Sequence, residues 1–173
     1  PFIWKELDNG TLRALTAGIL EFIPNTKTKS QIVYSCGIHG NETAPIEIVN
    51  DLVTKITDQI ITCIHHTLFI IGNPKAMNIK KRFTVENLNR LFATDLNAKE
   101  ENYEVTRAKE IIQILDNFYD SKTDKLHYDL HTAIKPSVFS PIPSLQKPLP
   151  AILSRFAKAI LFPKRWAQRL SFL

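Results

Sequence analysis

The apolar positions of the chain change period several times, and each change marks an element. Ile32-Val33-Tyr34 is a short β-branched and aromatic run that predicts a buried strand, and Thr67-Leu68-Phe69-Ile70-Ile71 predicts another. Ile46, Ile48, Val49, Leu52, Val53 and Ile56 recur at helical spacing and predict a helix from just after Glu42 to about Thr57. Val105, Ala108, Ile111, Ile112, Leu115 and Phe118 do the same, predicting an amphipathic helix from Tyr103 to Phe118 that packs on a sheet. Leu126 to Thr132 alternates polar and apolar side chains and predicts a last strand. Near the start, Asp8-Asn9-Gly10 lies between apolar runs, and Asn-Gly is a favoured hairpin pair, so antiparallel strands are expected at one sheet edge. Ile60 to Ile64 also has strand-like composition, and the adjacent His65 and His66 read as surface residues, since neighbours on a strand point to opposite faces and chelate poorly. Strands alternating with helices give an α/β domain, with a mixed, mostly parallel sheet and flanking helices.

The chemistry concentrates where the first helical pattern begins. Ser35-Cys36-Gly37-Ile38-His39-Gly40-Asn41-Glu42-Thr43-Ala44-Pro45 joins a strand to a helix, and such turns lie at the carboxyl edge of an α/β sheet, where ligands bind. His39 and Glu42, three residues apart, can aim an imidazole nitrogen and a carboxylate at one point, with Gly37 and Gly40 letting the backbone bend around it. The same pair could instead merely cap a helix. A third candidate shifts the balance: His131, in Tyr128-Asp129-Leu130-His131-Thr132, falls at or just past the carboxyl end of the last strand, on the same sheet edge. His39, Glu42 and His131 make a His₂Glu set of the kind that holds one catalytic Zn²⁺ per chain and leaves a position for water. Asp129, two residues before His131, is placed to orient a ligand or a substrate group from behind. Cys36 and Cys63 lie in apolar surroundings without C-x-x-C spacing, read as reduced thiols, and stay out of the ligand set.

Four segments then occur in a recognisable order: Gly37-Ile38-His39-Gly40-Asn41-Glu42-Thr43-Ala44-Pro45-Ile46-Glu47, Gly72-Asn73-Pro74-Lys75-Ala76-Met77, Arg82-Phe83 with Asn87-Leu88-Asn89-Arg90-Leu91-Phe92, and Asp129-Leu130-His131-Thr132-Ala133. Together they resemble the succinylglutamate desuccinylase family, in the aspartoacylase branch of the zinc carboxypeptidase-like superfamily. The resemblance runs from about the start of the chain to Lys135. It implies a zinc amidohydrolase that cleaves N-succinyl-L-glutamate to succinate and L-glutamate in arginine degradation. It also implies that Arg82 polarises the scissile carbonyl and that Asn89 and Arg90 hold a substrate carboxylate. The chemistry of the residues agrees, because the guanidinium fork matches a carboxylate in two places and keeps its charge beside a metal. In the family a glutamate from a later part of the chain is the general base. This sequence has no carboxylate after Asp129, Glu47 lies on the helix past Glu42, and Glu86 lies in the loop before Arg90, so the catalytic base is unassigned and weak zinc binding with slow or no turnover is expected. The other readings are a different N-acyl-amino-acid deacylase of the same branch, and a non-catalytic remnant or binding module.

Composition changes the picture only at the end of the chain. The 173 residues are 44% hydrophobic and 23% charged, ordinary for one globular core, and carry a net charge of +5. Residues 136–173 hold six basic side chains (Lys147, Arg155, Lys158, Lys164, Arg165, Arg169), six of the ten prolines and no Asp, Glu or Gly. That leaves residues 1–135 at −1, so the net charge does not predict nucleic acid as a partner. Residues 1–135 are therefore expected to form a partial amidohydrolase domain with its C-terminal part missing. The Pro-rich tail is a separate segment, as a shifted frame or truncated gene would produce, either poorly ordered or a basic amphipathic helix over 149–162 that touches a membrane or a partner. The chain starts at Pro1 rather than Met, so a processed or incomplete N-terminus is expected. No apolar run approaches the roughly 20 residues of a membrane span and no leader pattern is visible, so the expected compartment is the cytoplasm and the expected partner a small N-acyl amino acid. The oligomeric state has no signature.

Overall fold

A computed structural model describes residues 1–132; the Pro-rich tail and its proposed helix lie outside them. Six strands form one sheet: β1 (Phe2–Leu7), β2 (Gly10–Thr16), β3 (Ile19–Pro24), β4 (Ser30–Cys36), β5 (His66–Ile71) and β6 (Asp124–Asp129), in the order β1-β2-β3-β5-β4-β6. The helices are α1 (Thr43–Thr57), the short α2 (Pro74–Asn78) and α3 (Leu88–Leu91), and α4 (Tyr103–Phe118). The two long helices begin and end where the apolar periodicity places them.

The fold is α/β and the sheet mixed, as expected, but the balance of directions corrects the expectation of a mostly parallel sheet. Among the described residues β1/β2, β2/β3 and β3/β5 are antiparallel, and only β4/β5 and β4/β6 are parallel. The sequential pairs β1/β2 and β2/β3 need only tight turns, which Asp8-Asn9 and Ala17-Gly18 supply, β3/β5 joins strands separated by β4 and α1, and each parallel pair needs a helical crossover. The described residues contain two such crossovers, through α1 and α4.

Two cores follow from the period of two along the central strands. Phe69 and Ile71 join Leu12, Leu20 and Phe22 under the apolar stripe of α1, formed by Ile46, Val49, Val53 and Ile56. Leu68 and Ile70 join Ile19 and Val33 under Val105, Ala108, Ile111 and Phe118 of α4. The connection from β4 to β5 uses α1, and the connection from β5 uses α4 to reach β6, on the other side of β4. The crevice between the carboxyl ends of β4 and β6 is therefore the switch point of the sheet, the usual place for a ligand.

The strand-like run Ile60–Ile64 is not a strand. Gln59 takes a positive φ of 56°, and the N–H groups of Ile60 and Ile61 turn back to the Lys55 carbonyl at 2.9 and 3.1 Å. The end of α1 thus consumes the donors that a ladder would need, and Ile60 and Ile64 are left exposed. His66 is likewise not a bare surface residue, because its ring bridges Glu21 Oε1 at 2.7 Å and the Gln31 amide at 3.1 Å.

Candidate metal and substrate site

The turn after β4 is built by two close approaches. Gly37 has a φ of +61°, which turns the chain out of the strand. Gly40 packs on α2 so tightly that a Cβ there would lie 2.2 Å from the Met77 nitrogen and 2.3 Å from the Ala76 carbonyl carbon, both backbone atoms. Its own N–H donates to the Arg82 carbonyl at 3.2 Å. Absence of a side chain at Gly40 is what lets the His39 turn and the Arg82 segment share one wall. Gly40→Ala is expected to lower stability by about 1 to 3 kcal/mol, seen as a lower urea midpoint at unchanged slope.

His39 and Glu42 are buried, and His131 lies just beyond β6. The three meet. His39 Nδ1 is 2.9 Å from Glu42 Oε1, His131 Nδ1 is 3.0 Å from Glu42 Oε2, and one donor atom from each residue lies within 4.8 Å of the other two. The second nitrogen of each ring faces an oxygen on its outer side: Asn87 Oδ1 at 3.2 Å for His39 and Asp129 Oδ2 at 2.8 Å for His131. Asp129 is itself fixed, since Ser35 Oγ on the neighbouring strand donates to its Oδ1 at 2.7 Å. The Ser35 hydroxyl also lies 2.9 Å from His127 Nε2.

The electrostatics suit a cation. Burial raises the Glu42 pKa, but the Thr132 N–H, His131 and His39 outweigh it and hold the carboxyl below its ordinary range. Burial lowers that of His131, but Asp129 and Glu42 outweigh it and raise the ring above its ordinary value. Two imidazole nitrogens and an ionised carboxylate oxygen, converging with their outer nitrogens engaged, are a borderline-soft donor set that fits zinc. Burial pushes the Cys36 thiol far up, so it stays neutral and outside the set.

Arg82 is adjacent, with Nη1 3.4 Å from Glu42 Oε1. Asn89 and Arg90 are exposed on α3, whose N-cap is Asn87. Sequence reasoning assigned no role to Asn87, Ser35 or Glu104. Asn87 is an Asn directly before a short helical run, which is a capping signal. Glu104 is acidic yet abuts the apolar stripe that begins at Val105, and it is 0% exposed. Ser35 carries no signal of its own.

The sequence profile of the succinylglutamate desuccinylase/aspartoacylase catalytic domain matches residues 28–165. The chain belongs to this family. The family match extends past Lys135 into the Pro-rich segment. A succinylglutamate desuccinylase from Idiomarina loihiensis is 42% identical over 137 residues, covering 76% of this chain and 40% of that protein. One from Pseudoalteromonas atlantica is 46% identical over 143 residues, covering 79% and 41%. The crystal structure of a succinylglutamate desuccinylase from Vibrio parahaemolyticus superimposes with a TM-score of 0.70 at 37% identity, covering 76% of this chain and 46% of that one. The chain thus spans about 40% of the length of these curated relatives. Among the described residues no helix is long and apolar enough to cross a membrane.

Proposed function

We propose that this desuccinylase-family chain carries the metal-binding and substrate-gripping parts of a zinc-dependent hydrolase of N-succinyl-L-glutamate, which yields succinate and L-glutamate. The observation that carries this reading is the convergence of His39, Glu42 and His131 from the ends of two neighbouring parallel strands. When bound, zinc supplies Lewis acidity toward water and toward the scissile carbonyl.

The chain's own groups divide the remaining work. Arg82 donates to the carbonyl oxygen as negative charge grows on it, a role supported by its guanidinium lying 3.4 Å from Glu42. Asn89 and Arg90, at the rim on α3, take a substrate carboxylate, the arginine with its planar fork. Asp129 holds the outer nitrogen of His131, and Ser35 holds Asp129. Among the described residues the nearby carboxylates are committed: Asp129 to Ser35 and His131, and Glu86 to Lys99 and Asn102. Among the described residues a general base is therefore unassigned. General acid–base catalysis contributes on the order of 10² to 10⁴ in rate, so without such a group turnover by residues 1–173 is proposed to fall short of that of a relative that has one by about that factor.

The test is the purified chain, analysed for zinc by mass spectrometry and for amino-acid release, glutamate from N-succinyl-L-glutamate beside aspartate from N-acetyl-L-aspartate. About one zinc per chain and slow release from the succinyl substrate alone support the reading. A chain that holds no zinc overturns it, and faster release from the acetyl substrate moves the specificity to another deacylase.

A further inference from the structure

We infer that Asn87 is the joint between the two halves of this site: its single side-chain oxygen holds the outer nitrogen of His39 and at the same time seats the helix that presents Asn89 and Arg90. The inference rests on the zinc reading above and adds to it a positioning residue that selects which His39 nitrogen is left for the metal.

The orientation of the Asn87 amide is fixed by a donor that cannot change its mind. The backbone N–H of Asn89 points at Asn87 Oδ1 from 3.1 Å, and an amide turned the other way would set NH₂ against N–H. The atom that faces His39 Nε2 at 3.2 Å is therefore a carbonyl oxygen, an acceptor only. A hydrogen must then reside on His39 Nε2. In the neutral ring this leaves the Nδ1 lone pair directed at Glu42 Oε1, 2.9 Å away. Two electron-rich atoms facing each other at that separation call for a positive centre between them: a proton on Nδ1 when the ring is an imidazolium, and a metal ion when the ring is neutral. His131 is arranged in the same sense, with Nε2 toward Asp129 and Nδ1 toward Glu42.

The second task of the same oxygen concerns α3. Four residues cannot hold a helix by propensity, because nucleation costs more than so short a run returns. The Asn87 cap, together with burial of Leu88 and Leu91, is what keeps Leu88–Leu91 helical. Losing the oxygen therefore releases a metal ligand and the carboxylate-gripping pair together.

Three substitutions separate these tasks. Asn87→Asp keeps an acceptor and a good cap. Asn87→Ser keeps the cap but ends one bond short of His39. Asn87→Leu removes both. Zinc affinity, measured by competition with a chromophoric chelator, is expected to stay within a few-fold of wild type in N87D and to fall about 10- to 100-fold in N87S and N87L. The ¹⁵N shifts of His39 in the metal-free protein supply a readout that a merely structural role would not move. Wild type and N87D are expected to show the Nε2–H tautomer, and N87S and N87L a mixture. N87S remains informative if N87L fails to fold. The Asn87 inference is overturned if N87S keeps both the wild-type tautomer and wild-type zinc affinity. Failure of the wild type to bind zinc overturns the metal reading instead, and the tautomer measurement still decides the role of Asn87.

Discussion

Glu42→Gln is expected to weaken zinc binding by roughly 100- to 1,000-fold while leaving the melting temperature of the metal-free protein within about 4 °C of wild type. The first figure follows from sharing a structural-site binding energy of about 10 to 16 kcal/mol among three or four ligands, which makes one ligand worth on the order of 3 to 4 kcal/mol. The second follows from the geometry. A glutamine amide can donate its NH₂ to the His39 Nδ1 lone pair, 2.9 Å from Oε1, and keep an oxygen for the Thr132 N–H, 3.1 Å from Oε2. The charge lost opposite Arg82 and His131 costs little, because those side chains are 34% and 30% exposed and can turn to water, so the fold loses on the order of 1 kcal/mol, which is about 2 to 4 °C at this chain length. Zinc at about 100 times its dissociation constant should add about 2.7 kcal/mol to the wild type and almost nothing to the variant. Differential scanning fluorimetry with and without zinc reads both numbers. Equal zinc-induced shifts in the two proteins would remove Glu42 from the ligand set.

The same residues show what could be seen beforehand and what could not. The strand, turn and helix around His39 were legible because the period of the apolar positions switches from two to 3.6 across Gly37 to Pro45, and only a strand-to-helix turn does that. His131 was legible because Asp129-Leu130-His131 closes an alternating run, at the end of the last described strand. Direction within the sheet was not: nothing in Ile19–Pro24 says that it pairs with His66–Ile71, since register and neighbour are tertiary choices made by packing under α1. Ile60–Ile64 misled because β-branched composition describes what fits a ladder, not whether the backbone donors are free to join one. Asn87, Ser35 and Glu104 were hidden for a common reason. Each acts by accepting or relaying a hydrogen bond from a segment distant in sequence or from a ring nitrogen, and the partner of a polar side chain leaves no periodic trace.

Glu104→Gln is expected to destabilise the protein by about 3 kcal/mol at neutral pH and to lose most of that penalty in acid. Glu104 is 0% exposed, and its two oxygens accept from Asn73 Nδ2 at 3.1 Å, the Thr84 N–H at 2.6 Å and hydroxyl at 2.7 Å, and the Val85 N–H at 3.2 Å. Asn73 in turn caps α2 by accepting from the Ala76 N–H at 3.0 Å. One carboxylate thus pins both ends of the segment that carries Arg82 and leads into Asn87. A glutamine turns one of those oxygens into a donor, which sets it against the half-buried Thr84 or Val85 N–H and removes the charge from a fully buried side chain, a loss of the size seen when one member of a buried charged network is removed. The pH dependence follows from linkage. Burial raises the Glu104 pKa, but the Thr84, Asn73 and Val85 donors outweigh it and hold the carboxyl below its ordinary range. The folded protein favours the ionised form, so the stabilisation is complete above the unfolded-state value of about 4.3 and disappears as the pH falls through the lower folded-state value. Glu21 and Glu42 are depressed as well, so both proteins weaken in acid, but those contributions cancel in the difference. Urea midpoints of the two proteins should therefore be well apart at about pH 7 and begin to converge only below the unfolded-state value of about 4.3. A gap that stays constant into acid would mean that Glu104 is not ionised in the fold, and the donors around it would then need another acceptor.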